Sequence, residues 1–241
     1  MAFLQSQPPR QPIFRAPLVV LWLLGILAAL HAARTSLPEA RAQEIAYNYG
    51  LVPARYSRAF LESRMLDPGT VWDRFVPFVS YMGIHNDWTH LVINCLFLLA
   101  FGPIVARRFG SILFIVFFII CGVAGALTYL ALNWGSAAPV VGASGAISGL
   151  MAAALRMLPG QSPWAVPGVT PLAPIFSRQM LIFTGVLVAI NVLTGIAGLP
   201  LGGENAQIAW QAHLGGYAAG LFLCGPFDAL RPRNVGAPLD H

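Results

Sequence analysis

The chain has no lysine, and all 14 of its basic residues are arginine. That bias is a compositional habit and carries no functional reading. Charge of either sign is scarce: 10% of the 241 residues are charged, against about 25% in a soluble domain. With 57% hydrophobic residues and a mean hydropathy of +0.69, the deficit excludes an ordinary soluble domain and marks an integral membrane protein. Cysteine is sparse too. Cys95, Cys121 and Cys224 all fall in apolar stretches without a CxxC or a pairing framework, so they read as small buried hydrophobes and not as disulfide or metal ligands. No repeat with a period of 20–50 residues is present, which excludes a solenoid.

Six apolar segments meet the roughly 17–25 residues that a bilayer-crossing helix needs: 17–33, 88–106, 110–132, 142–158, 179–199 and 206–226. The fold class expected is therefore an all-α membrane protein, a six-helix bundle over 17–226 with tails at 1–16 and 227–241. Threading the six spans puts Arg10, Arg15, Arg107, Arg108, Arg156, Arg178, Arg231 and Arg233 on one side with only Asp228 and Asp240. The other side holds Arg34, Arg41, Arg55, Arg58, Arg64 and Arg74 with Glu39, Glu44, Glu62, Asp67, Asp73, Asp87 and Glu204. The positive-inside rule then expects both termini in the cytoplasm, with the 34–87 loop outside. Trp88, Trp134 and Trp210 near the outer ends suit interfacial anchors. Arg10, Arg15 and the apolar run ending at Ala32-Ala33 also have the outline of a signal peptide, and the other five spans keep their orientation either way.

The 34–87 loop is too long for a plain connector. Within it, Ala54 to Leu66 interleaves Tyr56, Phe60, Leu61, Met65 and Leu66 with Arg55, Arg58, Glu62 and Arg64, the pattern of an interfacial amphipathic helix. A solvated loop with one helical turn is the alternative.

Polar residues inside the spans converge. Spans two, four and six run in the same direction, from outside to inside. His90 and Asn94 open span two, Ser144 heads span four, and His213 lies about two turns into span six. All four occupy one depth, where ionisable groups are expensive and usually functional. Taken singly, Gly142-Ala143-Ser144-Gly145 would read as a packing motif, His213 as a helix-to-helix hydrogen bonder and Asn94 as polar glue. Together they read as chemistry. Ser144 at a helix start has free N–H groups and the positive end of the dipole beside it, and an imidazole such as His213 can take its proton. His90 and Asn94, at i and i+4 on one face, can complete an oxyanion hole with the Ser144 N–H. None of the nine acids falls inside an apolar span; a Ser-His dyad is expected in place of a triad, and an intramembrane aspartyl pair is excluded. The absence of His-Glu-x-x-His excludes the usual zinc peptidase site. Gly142, Gly145 and Gly149 on span four, and Gly216-x-x-x-Gly220 on span six, make small faces for close helix approach.

His90-x-x-x-Asn94, Gly142-Ala143-Ser144-Gly145 and His213-x-x-Gly216-x-x-x-Gly220, in that order, resemble the rhomboid family of intramembrane serine proteases. The resemblance covers about 17–226. It implies Ser144 as nucleophile, His213 as general base, His90 and Asn94 as the oxyanion-stabilising pair, and single-span membrane proteins as substrates. The implied setting is a bacterial inner membrane, with lipid as a partner and no nucleic acid, metal or cofactor. His85 also falls where the family often has a histidine. Two departures stand out: Ser148 replaces the aromatic ring usual four residues after the serine, and Trp72-Asp73-Arg74 only approximates the family's Trp-Arg pair. The rival readings are a catalytically silent rhomboid-like protein that binds clients, favoured by Ser148, and a small transporter. The transporter lacks the inverted repeats and broken helices usual in that class.

Overall fold

The computed structural model describes residues 16–65, 69–158, 171–196 and 209–231. The expectations for residues 1–15, Leu66, Asp67, Glu204 and 232–241 lie outside the described residues, as do the span edges at 197–199 and 206–208. Six long helices form the bundle: α1 Leu18–Thr35, α2 Trp88–Phe109, α3 Ser111–Leu132, α4 Ser144–Met157, α5 Arg178–Ile196 and α6 Trp210–Leu230. By length and composition α1, α2 and α3 are apolar enough to cross a membrane, and α5 contributes a shorter apolar stretch, Arg178–Leu193.

An apolar core is buried, and large hydrophobics are exposed as well, in numbers unusual for a soluble protein. α1 buries only Val20, Leu27 and His31, one narrow stripe at spacings of seven and four that packs toward Gly102 of α2. Leu18 (72% exposed) and Trp22 (70% exposed) point away from the protein. α5 likewise exposes Leu181, Val186 and Leu193. Faces of that size are stable where hydrocarbon replaces water around them.

α4 is the centre. Its 14 residues reach about 21 Å at 1.5 Å per residue, short of the ~30 Å hydrocarbon thickness, and every one except Ser144 and Met151 is buried. It packs against α2, α3 and α6. The small residues decide how closely. A Cβ placed on Gly216 would run into the Gly145 carbonyl, and one on Gly220 into the backbone of Gly149. A Cβ on Gly149 would meet Cys121 of α3. Gly145 and Gly149 thus pair with Gly216 and Gly220 one turn apart, main chain against main chain, and this register fixes everything at the loop-bearing end of α4 and α6.

At the opposite end α6 runs four residues past its expected end and takes in Asp228, which therefore sits in a helix and not in a tail. The Arg108 guanidinium on α2 grips it through Nε–Oδ1 at 2.7 Å and Nη2–Oδ2 at 2.8 Å, a bidentate and mostly buried pair. Arg156, counted from sequence among the arginines of the cytoplasmic side, is buried; its Nε donates to the Ala173 carbonyl (3.0 Å) and its Nη1 to that of Leu221 (2.8 Å).

The segment between α1 and α2 is built, not slack. It holds a helix at Glu39–Tyr49, 3-10 turns at Pro53–Tyr56 and Tyr81–Gly83, and short helices at Arg58–Ser63, Val71–Phe75 and Pro77–Ser80. The single amphipathic helix expected over Ala54 to Leu66 is not formed. Ser57 adopts extended geometry and its side chain caps Phe60 N–H, which restarts the helix, and Met65 takes a positive φ of 49°. A local cap has outcompeted the amphipathic period. Trp72 stands 74% exposed on Val71–Phe75, a helix closed by a Thr70/Asp73 capping box.

Candidate active site

The segment leading into α4 is held before the helix begins. Leu51 N–H donates to the Val140 carbonyl (3.0 Å) and Val140 N–H returns the bond (2.9 Å), while Gly142 N–H donates to the Tyr81 carbonyl (2.9 Å). The Tyr81 hydroxyl in turn donates to the Gly122 carbonyl on α3 (2.8 Å). Two points of the long loop, Leu51 and Tyr81, therefore clamp the two residues on either side of Val141. Gly142, expected as a packing residue inside span four, lies outside α4 with φ +118°. Its lack of a side chain serves a ring: a Cβ there would come within 2.7 Å of His90 Cε1 and Nε2.

Ser144 is the first residue of α4, and the first intrahelical bond of the turn is Ile147 N–H to Ala143 carbonyl. The N–H groups of Ser144 to Ala146 accordingly have no carbonyl within the helix, and the positive end of the dipole faces the Ser144 side chain. The structure brings His213 to it across the glycine contact, with Nε2 2.8 Å from Ser144 Oγ. Ser144 precedes Gly145 by one residue and His213 precedes Gly216 by three, so the register of the close-packed helices sets the meeting.

A third side chain completes the row. Asn191 on α5 is buried and its Oδ1 lies 2.8 Å from His213 Nδ1. Sequence reasoning passed over it. The available signal was an amide in the middle of an otherwise apolar span, the type of residue that bonds between helices in lipid.

His90 and Asn94 are placed on one face of α2 as expected, and both line the same cavity as Ser144 and His213. The Asp87 carboxylate caps α2 by accepting from His90 N–H (2.8 Å). His90 Nδ1 accepts a long bond from Asn86 N–H (3.4 Å), which leaves the ring proton on Nε2, the nitrogen turned toward Gly142. Asn94 Nδ2 donates back to the His90 carbonyl (2.9 Å), and its second N–H remains for the cavity. Ser148 lines the same cavity, and its hydroxyl donates to the Ser144 carbonyl (2.8 Å).

The cavity has a volume of about 490 Å³ and is walled by α2, α4, α5 and α6, with Phe97, Ile147, Phe183 and Leu187 among its apolar residues. No acid and no arginine lines it among the described residues. Asp228 is 15 residues along α6 from His213, about 22 Å at the helical rise, and cannot serve the imidazole. No cluster of His, Cys, Asp or Glu suited to a metal occurs among the described residues.

Behind the cavity His85 is fully buried, its ring 5.1 Å from that of His90 and 6.4 Å from that of His31, and neither ring nitrogen has a hydrogen-bond partner. Arg34 Nη2 donates to its carbonyl (2.6 Å). Burial first, then His90, His31 and Arg34, push the His85 pKa down to about 3 from 6.5. The unfolded chain therefore binds more protons than the folded one between those values. The contribution of His85 to stability is intact above pH 6.5 and is lost as pH falls toward 3, by about 1.4 kcal/mol per pH unit. Thermal melts in detergent at pH 7.5 and 5.0 are expected to show that slope, and His85→Leu to flatten it; an unchanged slope in the variant contradicts the assignment.

The family model described as the Rhomboid domain matches residues 69–227. RHOMBOID-like protein 5 of Arabidopsis thaliana is 25% identical over an alignment covering 94% of this chain and 74% of that protein. Rhomboid protease AarA of Providencia stuartii is 31% identical, covering 59% of this chain and 52% of its own length. Rhomboid protease GluP of Bacillus subtilis (strain 168) is 28% identical, covering 67% and 27%. The chain thus spans about half of one named protease and about a quarter of the other.

Proposed function

The chain belongs to the rhomboid family, and from that premise we propose that it is a serine-type intramembrane endopeptidase working through Ser144 and His213. The observation that carries the reading is the 2.8 Å contact between His213 Nε2 and Ser144 Oγ at a helix start inside a cavity of an integral membrane protein. Both termini lie in the cytoplasm of a bacterial inner membrane in this reading, and the long loop faces outward.

In the proposed course a single-span substrate unwinds near the outer surface and presents a peptide bond to the cavity. Ser144 Oγ attacks the carbonyl carbon as His213 Nε2 takes its proton, and the tetrahedral oxyanion forms beside the Ser144 N–H, His90 Nε2–H and Asn94 Nδ2–H. The imidazolium returns the proton to the leaving amine, and the peptide bond breaks. Water then attacks the acyl-enzyme with His213 again as base, which releases the carboxylate and restores Ser144. The residues present suffice for each proton transfer without a cofactor.

Labelling with a fluorophosphonate tests the reading. Wild type is expected to label and to cleave a model single-span substrate, and Ser144→Ala to do neither. Equal labelling of the two, with no cleavage by wild type, removes it. That result favours the silent client-binding protein, for which Ser148 in place of an aromatic is the one observation in support.

A further inference from the structure

We infer that Asn191 is the positioning residue of the general base: it selects the imidazole tautomer that His213 needs. The inference rests on the protease reading above and adds a third member, carried on a different helix, to the Ser144–His213 pair.

The hydrogen bonds leave one solution. Asn191 Nδ2 donates to the Leu187 carbonyl (2.8 Å), one turn earlier on α5. A carbonyl only accepts, so the atom facing it must be the nitrogen, and the amide cannot be turned over without setting two oxygens against each other. The oxygen of the amide is therefore the atom 2.8 Å from His213 Nδ1. An amide oxygen also only accepts, so Nδ1 carries the ring proton. Nε2 is then the bare nitrogen, and it is the one that meets Ser144 Oγ at 2.8 Å. The helix backbone of α5, acting through one amide, dictates which imidazole nitrogen is basic.

The alternative tautomer would point an N–H at the serine and leave Nδ1 and Oδ1, two acceptors, opposed in a buried site. Asn191 is 4% exposed, and a hydrogen bond left unmade in a buried site is unfavourable. The amide keeps the ring in place without a charge, in a cavity whose described lining holds no acid.

A structural tether would behave differently, and α5 supplies the control. Thr184 Oγ1 and Tyr217 Oη, 2.9 Å apart, form another polar bond between α5 and α6, one turn along α6 from His213. Four proteins are compared in detergent for folding, fluorophosphonate labelling rate, kcat and KM: wild type, Asn191→Leu, Asn191→Asp and Thr184→Val. Asn191→Leu is expected to lose about 100-fold in kcat and in labelling rate with KM within threefold of wild type. Asn191→Asp, which keeps an acceptor oxygen, is expected to recover at least tenfold of that loss. Thr184→Val is expected to keep wild-type kcat. If Asn191→Leu does not fold, Asn191→Ala is read in its place. Wild-type kcat in the folded leucine or alanine variant, an equal loss in Thr184→Val, or no recovery in Asn191→Asp overturns the inference while the protease reading stands. Failure of wild type to label or cleave removes the protease reading first, and this one with it.

Discussion

His213→Ala is expected to lower substrate cleavage by about 10⁴-fold or more while the bundle stays folded. A serine hydroxyl without a base is a poor nucleophile, and removing one member of a serine–histidine pair elsewhere costs about as much as removing the whole set. The oxyanion donors remain in the variant, so a residual rate above the uncatalysed one persists. Little of the fold rests on the ring. His213 faces the cavity, and the contacts that join α6 to α4 are made by Gly216 and Gly220. Initial cleavage rates and melting temperature, measured on the same preparation, separate the two effects. Cleavage within tenfold of wild type would falsify the assignment of His213 as base, and a collapse in melting temperature would leave Ser144→Ala as the variant that decides.

Gly216→Ala is expected to damage stability and turnover together. The added methyl runs into the Gly145 carbonyl, which belongs to a buried helix and has no rotamer by which to give way. α4 and α6 must part. Overpacking of this type costs about 1–3 kcal/mol, and a displacement near 1 Å at reacting groups can cost about 100-fold in rate. Gly25→Ala on α1, where a Cβ meets nothing within 4 Å, is the matched control and is expected to leave both quantities unchanged. A Gly216→Ala protein with wild-type melting temperature and turnover would show that the helices tolerate separation.

Much of this was legible in the sequence because hydrocarbon makes polarity conspicuous. Ser144, His213, His90 and Asn94 stood out against apolar neighbours, and the structure gathers all four around one cavity. α1, α2 and α3 lie within a few residues of their expected bounds, since a continuous apolar run has no alternative period to adopt. What hydropathy could not resolve was conformation inside an apolar stretch. Gly142 reads as helix by composition, yet its positive φ belongs to a turn set by a loop far away in sequence. Ser57 and Met65 break a helix whose amphipathic pattern was intact, because a cap is a property of one dihedral and not of a pattern. Asn191 escaped for a different reason. Its meaning depends on the rotation of α5 about its own axis, and an apolar helix with no distinct polar face gives no sign of which way it turns.

The glycine pairs of α4 and α6 have a last consequence. Where two helices meet through carbonyls and Cα atoms, their separation is set by van der Waals contact of main-chain atoms, not by an average over side-chain conformers. Warming, or a change of acyl chains around Leu18, Trp22 and Leu181, alters the packing of those lipid-facing residues and leaves the spacing beneath Ser144 and His213 untouched. The outer surface of the bundle is thereby free to adapt to different bilayers, with its reactive pair gauged by atoms that no membrane touches.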